Sequence, residues 1–483
     1  MSSCSDFLEI PSETSLSTAT FYKSEKDLQQ AVNSAYAPLR NLYNISATPG
    51  VNNAGAWGMG EMRSDNTTYL YNPGYRAVTD SEAIADFTNQ DANSIVAHKY
   101  TTNYQIIARA NQVLASVDGV DFAADSKNNI KGQAYFLRAL AYFDLVQYFG
   151  KLPLHLTPVT DREGAALPLA EVDAVYIQII ADASQAAALL PKKSAQEPGR
   201  ATSGAAKTLL GNIYAVQKNW PAAETVLKQV IDSGEYTLLG DYASVFSVTN
   251  KNNSESVFEV QFKEGTEGYA GSFIYEMIPS PMSAAQVASI TGASGTQALT
   301  GEAFNIPTPD LVGAYEAGDL RKNISIGTTT LDDGKTYPYA KKLFQPHSQA
   351  GFTGTNWPVY RYAEVLLLYA EALNENGKDG SAYLNQVRLR ANLGNTTAVG
   401  QGNVRNAILA ERRVEFAFEN KRWLDLVRTG NAQSVMSAYG AKVKANPENY
   451  YFPAGFAPAP SAYATISLLF PLPASESLLS PYF

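Results

Sequence analysis

Residues 203–233 read SGAAKTLLGNIYAVQKNWPAAETVLKQVIDS. Leu210, Gly211, Tyr214, Ala223 and Leu227 fall at the spacing of a tetratricopeptide repeat, in which small residues let two antiparallel helices touch. The match is incomplete. Lys207 stands where the repeat usually carries Trp, and Glu235 where it usually carries Pro. One copy does not make a solenoid. Helical segments at about 24–43, 171–190 and 359–376 are therefore read as further, degenerate members of such pairs.

Other stretches extend this helical frame. Ser24, with Asp27 three residues on, has the form of a weak capping box at the start of SEKDLQQAVNSAYAPLRNLY. Two long helical stretches follow at about 81–117 and 127–149. The second contains KGQAYFLRALAYFDLVQYFGKLPL, where Gln133, Asp144 and Gln147 share one narrow polar stripe. Such a helix is buried on most sides. Arg138 points away from the stripe, so a buried carboxylate or carbonyl partner is expected. Gly150 and Pro153 end the helix.

Around the frame lie stretches of a different texture. Residues 46–80, 250–357 and 431–483 are rich in Gly, Asn, Ser, Thr, Pro and aromatics. Phe258, Val260 and Phe262 alternate as in a strand, and ATISLLFPLP near the end is also strand-like. The expected fold is mostly α: tetratricopeptide-like helix pairs over 21–45, 81–235 and 359–430, carrying a loop-rich irregular half with short strands. Residues 1–20 read as a tether and 21–483 as a single domain. Long ordered loops on a rigid frame usually carry function.

The 483 residues include 45% hydrophobic residues, enough for a substantial core, and no apolar run long enough to cross a membrane as a helix. A net charge of −9 argues against nucleic acid as a partner. There is no P-loop, dinucleotide fingerprint, HExxH or nucleophile elbow, and no cofactor or metal is expected. The three histidines, His98, His155 and His347, are far apart in sequence. A pair of catalytic carboxylates remains open among 46 acidic residues, because such pairing is spatial.

Three features carry candidate chemistry. Arg412, Glu415, Glu419, Arg422, Asp425 and Arg428 follow one another at helical steps in ERRVEFAFENKRWLDLVR. They read either as an anion site or, preferably, as a buried helix whose charges satisfy each other. The loop WGMGEMRSDNTTYLYNPGY joins Trp57, Tyr69, Tyr71 and Tyr75 to Arg63, Asp65 and Asn66. Aromatic faces stack on sugar rings, and amides, carboxylates and guanidiniums bind hydroxyls. The alternative is a loop packed on its own frame with an internal Arg63–Asp65 pair. A second aromatic loop, EGYAGSFIYEM, offers Tyr269, Phe273 and Tyr275. The lone cysteine, Cys4, follows small residues and precedes polar ones. It reads either as an incidental thiol or as a lipid attachment point.

In order along the chain, Cys4, EMRSDN, KGQAYFLRALAYFDLVQYFGKLPL, GRATSGAAKTLLGNIY, NSESVFEVQF, PVYRYAEVLLLYAEALNE, ERRVEFAFENKRWLDLVR and FPLPASE resemble the SusD/RagB family of Bacteroidetes surface lipoproteins. The resemblance implies a SusD-like fold and a lipid anchor on Cys4 at the outer membrane. It also implies non-catalytic capture of glycans, or in one branch peptides, beside a SusC-like TonB-dependent transporter. The acidic balance favours a neutral oligosaccharide. The resemblance makes the arginine–glutamate ladder structural. It leaves Trp57, Arg63, Asp65, Asn66, Tyr69, Tyr71, Tyr75, Tyr269, Phe273 and Tyr275 as the candidate ligand residues.

Overall fold

The computed structural model describes residues 22–44, 55–74, 79–293 and 303–482. Its principal helices are α1 (Glu25–Tyr43), α2 (Ser94–Ser116), α3 (Ala124–Phe149), α4 (Val172–Leu189), α5 (Ser203–Val216), α6 (Trp220–Asp232), α7 (Tyr362–Glu375), α8 (Ser381–Arg390), α9 (Gln401–Glu415), α10 (Arg422–Arg428) and α11 (Ala432–Ala445). They pack mainly on their neighbours in sequence. α1 lies on α2 and α3, α3 on α4, α4 on α5, α5 on α6, α6 on α7, and α7 on α8 and α9. This is the helix-pair scaffold read from the sequence.

Local chemistry explains the elements. Ser24 and Asp27 form the reciprocal capping box of α1. In the α5–α6 pair, a Cβ on Gly211 would lie 2.4 Å from Leu227 Cδ2, so only glycine permits this approach. On α3, buried Arg138 makes a bidentate pair with Asp182 of α4, at 2.7 Å for each bond. Its remaining N–H groups donate to Asn111 and to the Leu156 carbonyl.

Some boundaries differ from the reading. The stretch over 81–117 is two helices, Asp80–Ala85 and α2. Phe87 adopts a positive φ between them, and Asn93 caps α2 by accepting from the Ile95 and Val96 amides. The ERRVEFAFENKRWLDLVR segment also breaks, because Phe418 and Asn420 adopt positive φ between α9 and α10. The strand expected at ATISLLFPLP does not form; residues 464–473 are bends and irregular backbone.

The irregular half contains short antiparallel pairs. The strands are β1 (Thr67–Thr68), β2 (Leu152–Pro153), β3 (Leu169–Ala170), β4 (Ser256–Val260), β5 (Ile306–Pro307), β6 (Ile326–Thr330), β7 (Thr336–Ala340) and β8 (Trp357–Arg361). β1 pairs with β5, β2 with β3, β4 with β8 and β6 with β7. Further backbone bonds widen the β1–β5 pair. Leu70 N–H donates to Ala303, Tyr71 N–H to Tyr451, Ala303 N–H to Ile278 and Phe304 N–H to Glu276. Four stretches remote in sequence thus lie side by side.

A buried charge network joins the two halves. Arg321 pairs with Asp319, Glu411 and Glu415; Arg361 with Glu255, Glu415 and Glu419; Arg390 with Glu255 and Glu415; Lys342 with Glu419. Burial pushes the Glu415 carboxyl up, but Arg390, Arg361 and Arg321 overcome it and hold the group well below its ordinary range. Arg412 pairs with Asp425, Arg428 with Glu371 and Asp425, and Arg422 with Asp65. The ladder is structural.

Candidate ligand-binding surface

The structure buries seven of the ten candidate residues: Trp57, Arg63, Asp65, Asn66, Tyr69, Phe273 and Tyr275. Each is committed to the interior. The turn carrying Trp57 packs on α1 and α2. Arg63 stacks on Phe87 and Phe470 with ring centres 3.9 and 4.4 Å away, and donates to the Ile84 and Ser467 carbonyls. With no carboxylate partner among the described residues, its guanidinium is pushed down by burial to about 9. The internal Arg63–Asp65 pair of the alternative reading does not form, although the loop is packed on the frame as that reading has it. Asp65 instead bonds Arg422 (2.8 Å) and Arg413 (2.9 Å), which hold its carboxyl below the ordinary value although burial pushes it up. Asn66 accepts from Arg413, and the Tyr69 hydroxyl donates to Asp86. Phe273 meets the Trp357 ring edge-on at 5.3 Å, and the Tyr275 hydroxyl bonds His347 Nε2 at 2.6 Å. These seven side chains dock the loops onto the frame and present no face to a ligand. Tyr75, like Cys4, lies outside the described residues.

Two candidates reach the surface in separate settings. Tyr71 is half-buried and stacks on buried Phe452, with ring centres 5.0 Å apart and planes inclined by 29°. Phe456, 41% exposed, lies 5.4 Å from Tyr71. Main-chain bonding sets this cluster: the Tyr71 amide donates to the Tyr451 carbonyl, and the Tyr451 hydroxyl donates to the Pro307 carbonyl at 2.6 Å. The result is a short aromatic strip, rigid beneath and open above, which suits stacking on the apolar face of a sugar ring.

Tyr269 is 48% exposed and sits on the loop that follows β4. The guanidinium carbon of Arg40 lies 5.0 Å from its ring centre. Asn44, at the end of α1, holds the loop there. Its amide donates to the Ala270 carbonyl, and its oxygen accepts from the Ser272 amide (2.6 Å) and hydroxyl (2.8 Å). The Lys263 amide closes the loop on the Tyr269 carbonyl.

Two family models match the chain: the SusD family over residues 325–481, and "starch-binding associating with outer membrane" over residues 6–215. The chain belongs to the SusD/RagB family. Among relatives, a SusD-like protein of Formosa agariphila is 28% identical over 464 residues, spanning 89% of this chain and 87% of the relative. A SusD superfamily structure from Bacteroides vulgatus superposes with a TM-score of 0.75 at 25% identity, covering 96% of this chain and 98% of the other. A laminarin-binding SusD-like protein superposes with a TM-score of 0.76 at 26% identity, covering 95% and 98%. In this SusD-family chain, sequence reasoning missed Tyr451, Phe452 and Phe456. A signal existed: NYYFPAGF, residues 449–456, packs four aromatics around Pro and Gly. For Arg40 there was none, because it reads as one more charged residue on a helix.

Proposed function

We propose that this protein is a non-catalytic binding protein of the outer cell surface, which captures oligosaccharides for import through a partner TonB-dependent outer-membrane transporter. The family model supports association with the outer membrane. The lipid anchor is assigned to Cys4. The observation that carries the glycan reading is the pair of half-buried Tyr71 and exposed Phe456, backed by Phe452. A sugar ring laid on the strip would stack on preformed aromatic faces. Each stacking contact contributes on the order of 1 kcal/mol, so two reach useful affinity only with added hydrogen bonds to the hydroxyls. Binding of laminarin by a structural neighbour supports a neutral glucan as the first ligand to try.

Affinity electrophoresis through gels containing laminarin, starch and other neutral polysaccharides tests this reading. Retardation that Phe456→Ala abolishes supports it. Absence of retardation by every polysaccharide, with peptides recovered from the native transporter complex, would replace it with peptide capture. Release of reducing sugar from a bound glycan would replace capture by catalysis.

A further inference from the structure

Building on the glycan-capture reading, we propose that Arg40 and Tyr269 form a second subsite, which takes the carboxylate of an acidic sugar, a uronic acid residue. Arg40 lines a cavity of about 220 Å³ between α1, the turn at 197–200 and β4; Tyr269 is not part of that lining and meets Arg40 beside it. The other polar groups there are committed. Arg200 bonds Glu197, Asn33 and Gln133 at 2.5, 2.8 and 3.1 Å. Glu259 accepts from the Asn252 amide and the Asn356 side chain. Gln261 is joined to Asn252 in both directions. Arg40 differs. Among the described residues its guanidinium has neither a carboxylate nor a hydrogen-bond acceptor, and the ring it lies over is that of Tyr269.

A cation–π contact uses none of the N–H donors, so the forked donor edge of this guanidinium stays unpaired. That edge fits the two oxygens of a carboxylate, and two parallel charge-assisted bonds are stronger than bonds to neutral hydroxyls. Arg40 is also partly withdrawn from water, which disfavours its unpaired charge. An anion gains more there than a neutral hydroxyl does. The Tyr269 ring, still 48% exposed, supplies apolar surface beside the donors. Asn44 fixes the loop that presents it, so the pair is assembled before any ligand arrives.

The test is calorimetry with three probes: tetragalacturonate, an oligoglucuronate and neutral laminaritetraose. They are titrated into the full chain and its Arg40→Gln, Arg40→Lys and Phe456→Ala variants, with thermal melts confirming folding. We expect Arg40→Gln to weaken an acidic probe by roughly tenfold or more. Arg40→Lys should restore part of the loss, and added salt should weaken the wild-type interaction. Laminaritetraose binding should be unchanged by Arg40→Gln and lowered by Phe456→Ala. The subsite is overturned if neither acidic probe binds the wild type, or if Arg40→Gln binds the acidic probe as well as wild type. It is also overturned if Arg40→Gln weakens neutral and acidic probes alike. Failure of laminaritetraose alone speaks against the Tyr71–Phe456 strip, not against this subsite.

Discussion

Arg361 and Glu419 are joined by two parallel hydrogen bonds, Nε to Oε2 and Nη2 to Oε1, each 2.8 Å long, with both side chains buried. Arg361 ends β8, and Glu419 lies in the turn between α9 and α10. The same guanidinium also reaches Glu255 and Glu415. Replacing it by an apolar group of similar length takes one cation from each of three buried carboxylates, leaving Glu255 to Arg390, Glu415 to Arg390 and Arg321, and Glu419 to Lys342 alone. We expect Arg361→Met to lower stability by about 3–5 kcal/mol, read as a fall in the urea midpoint. An unchanged midpoint would show that the network is not what holds loops to frame.

Gly211 tests the helix-pair contact. A Val side chain there collides with Leu227 at the closest approach of α5 and α6. Such overpacking costs about 1–3 kcal/mol. Thermal denaturation of Gly211→Val should show the loss, and Gly211→Val combined with Leu227→Ala should recover part of it.

The aromatic residues divide into two classes with opposite signatures. Trp57→Ala removes a fully buried ring and should destabilise by about 3–5 kcal/mol. Phe456→Ala should leave the melting temperature nearly unchanged and weaken glycan binding by about fivefold, equivalent to ~1 kcal/mol. Parallel melts and gel retardation on the two variants read both effects. A binding defect in folded Trp57→Ala equal to that of Phe456→Ala would contradict the division.

Glu61 gives a pH signature. Burial pushes its carboxyl up to about 8, against the opposing pull of Lys342 and of the Phe418 and Asn420 amides. The folded value lies above the unfolded one. Its contribution is therefore complete at acid pH and declines as pH rises from the ordinary carboxylate range through about 8. Glu61→Gln removes that decline. The variant should gain on wild type as pH rises from 4 to 8, in melts recorded at each pH. A difference independent of pH would mean that Glu61 is ionised in the folded protein.

The frame was legible because its signals are local. The Ser24 capping box, the Gly211 spacing and the orphan Arg138 inside an apolar helix each name a contact within one or two elements. The charge steps from Arg412 to Arg428 announced a structural role, but within the ladder only Asp425 meets its neighbours, Arg412 and Arg428, while Glu415, Glu419 and Arg422 pair with remote residues. The site was less legible, because exposure of an aromatic is decided by partners far away in sequence. Trp57 and Tyr71 look alike in one loop, yet the first lies against α1 and α2 and the second faces outward beside Phe456. Arg63 and Asp65 are two residues apart but look to different partners, rings for one and Arg413 and Arg422 for the other.

The segments around Tyr71 are held in place by main-chain bonds running from residues 276–278 through 303–307 and 67–71 to 451. Main-chain atoms are the same whatever side chains they carry. Substitution at an exposed position such as Phe456 therefore leaves this scaffold's register intact. A protein built this way can be refitted to a new sugar by exchanging a few rings, without any helix having to move.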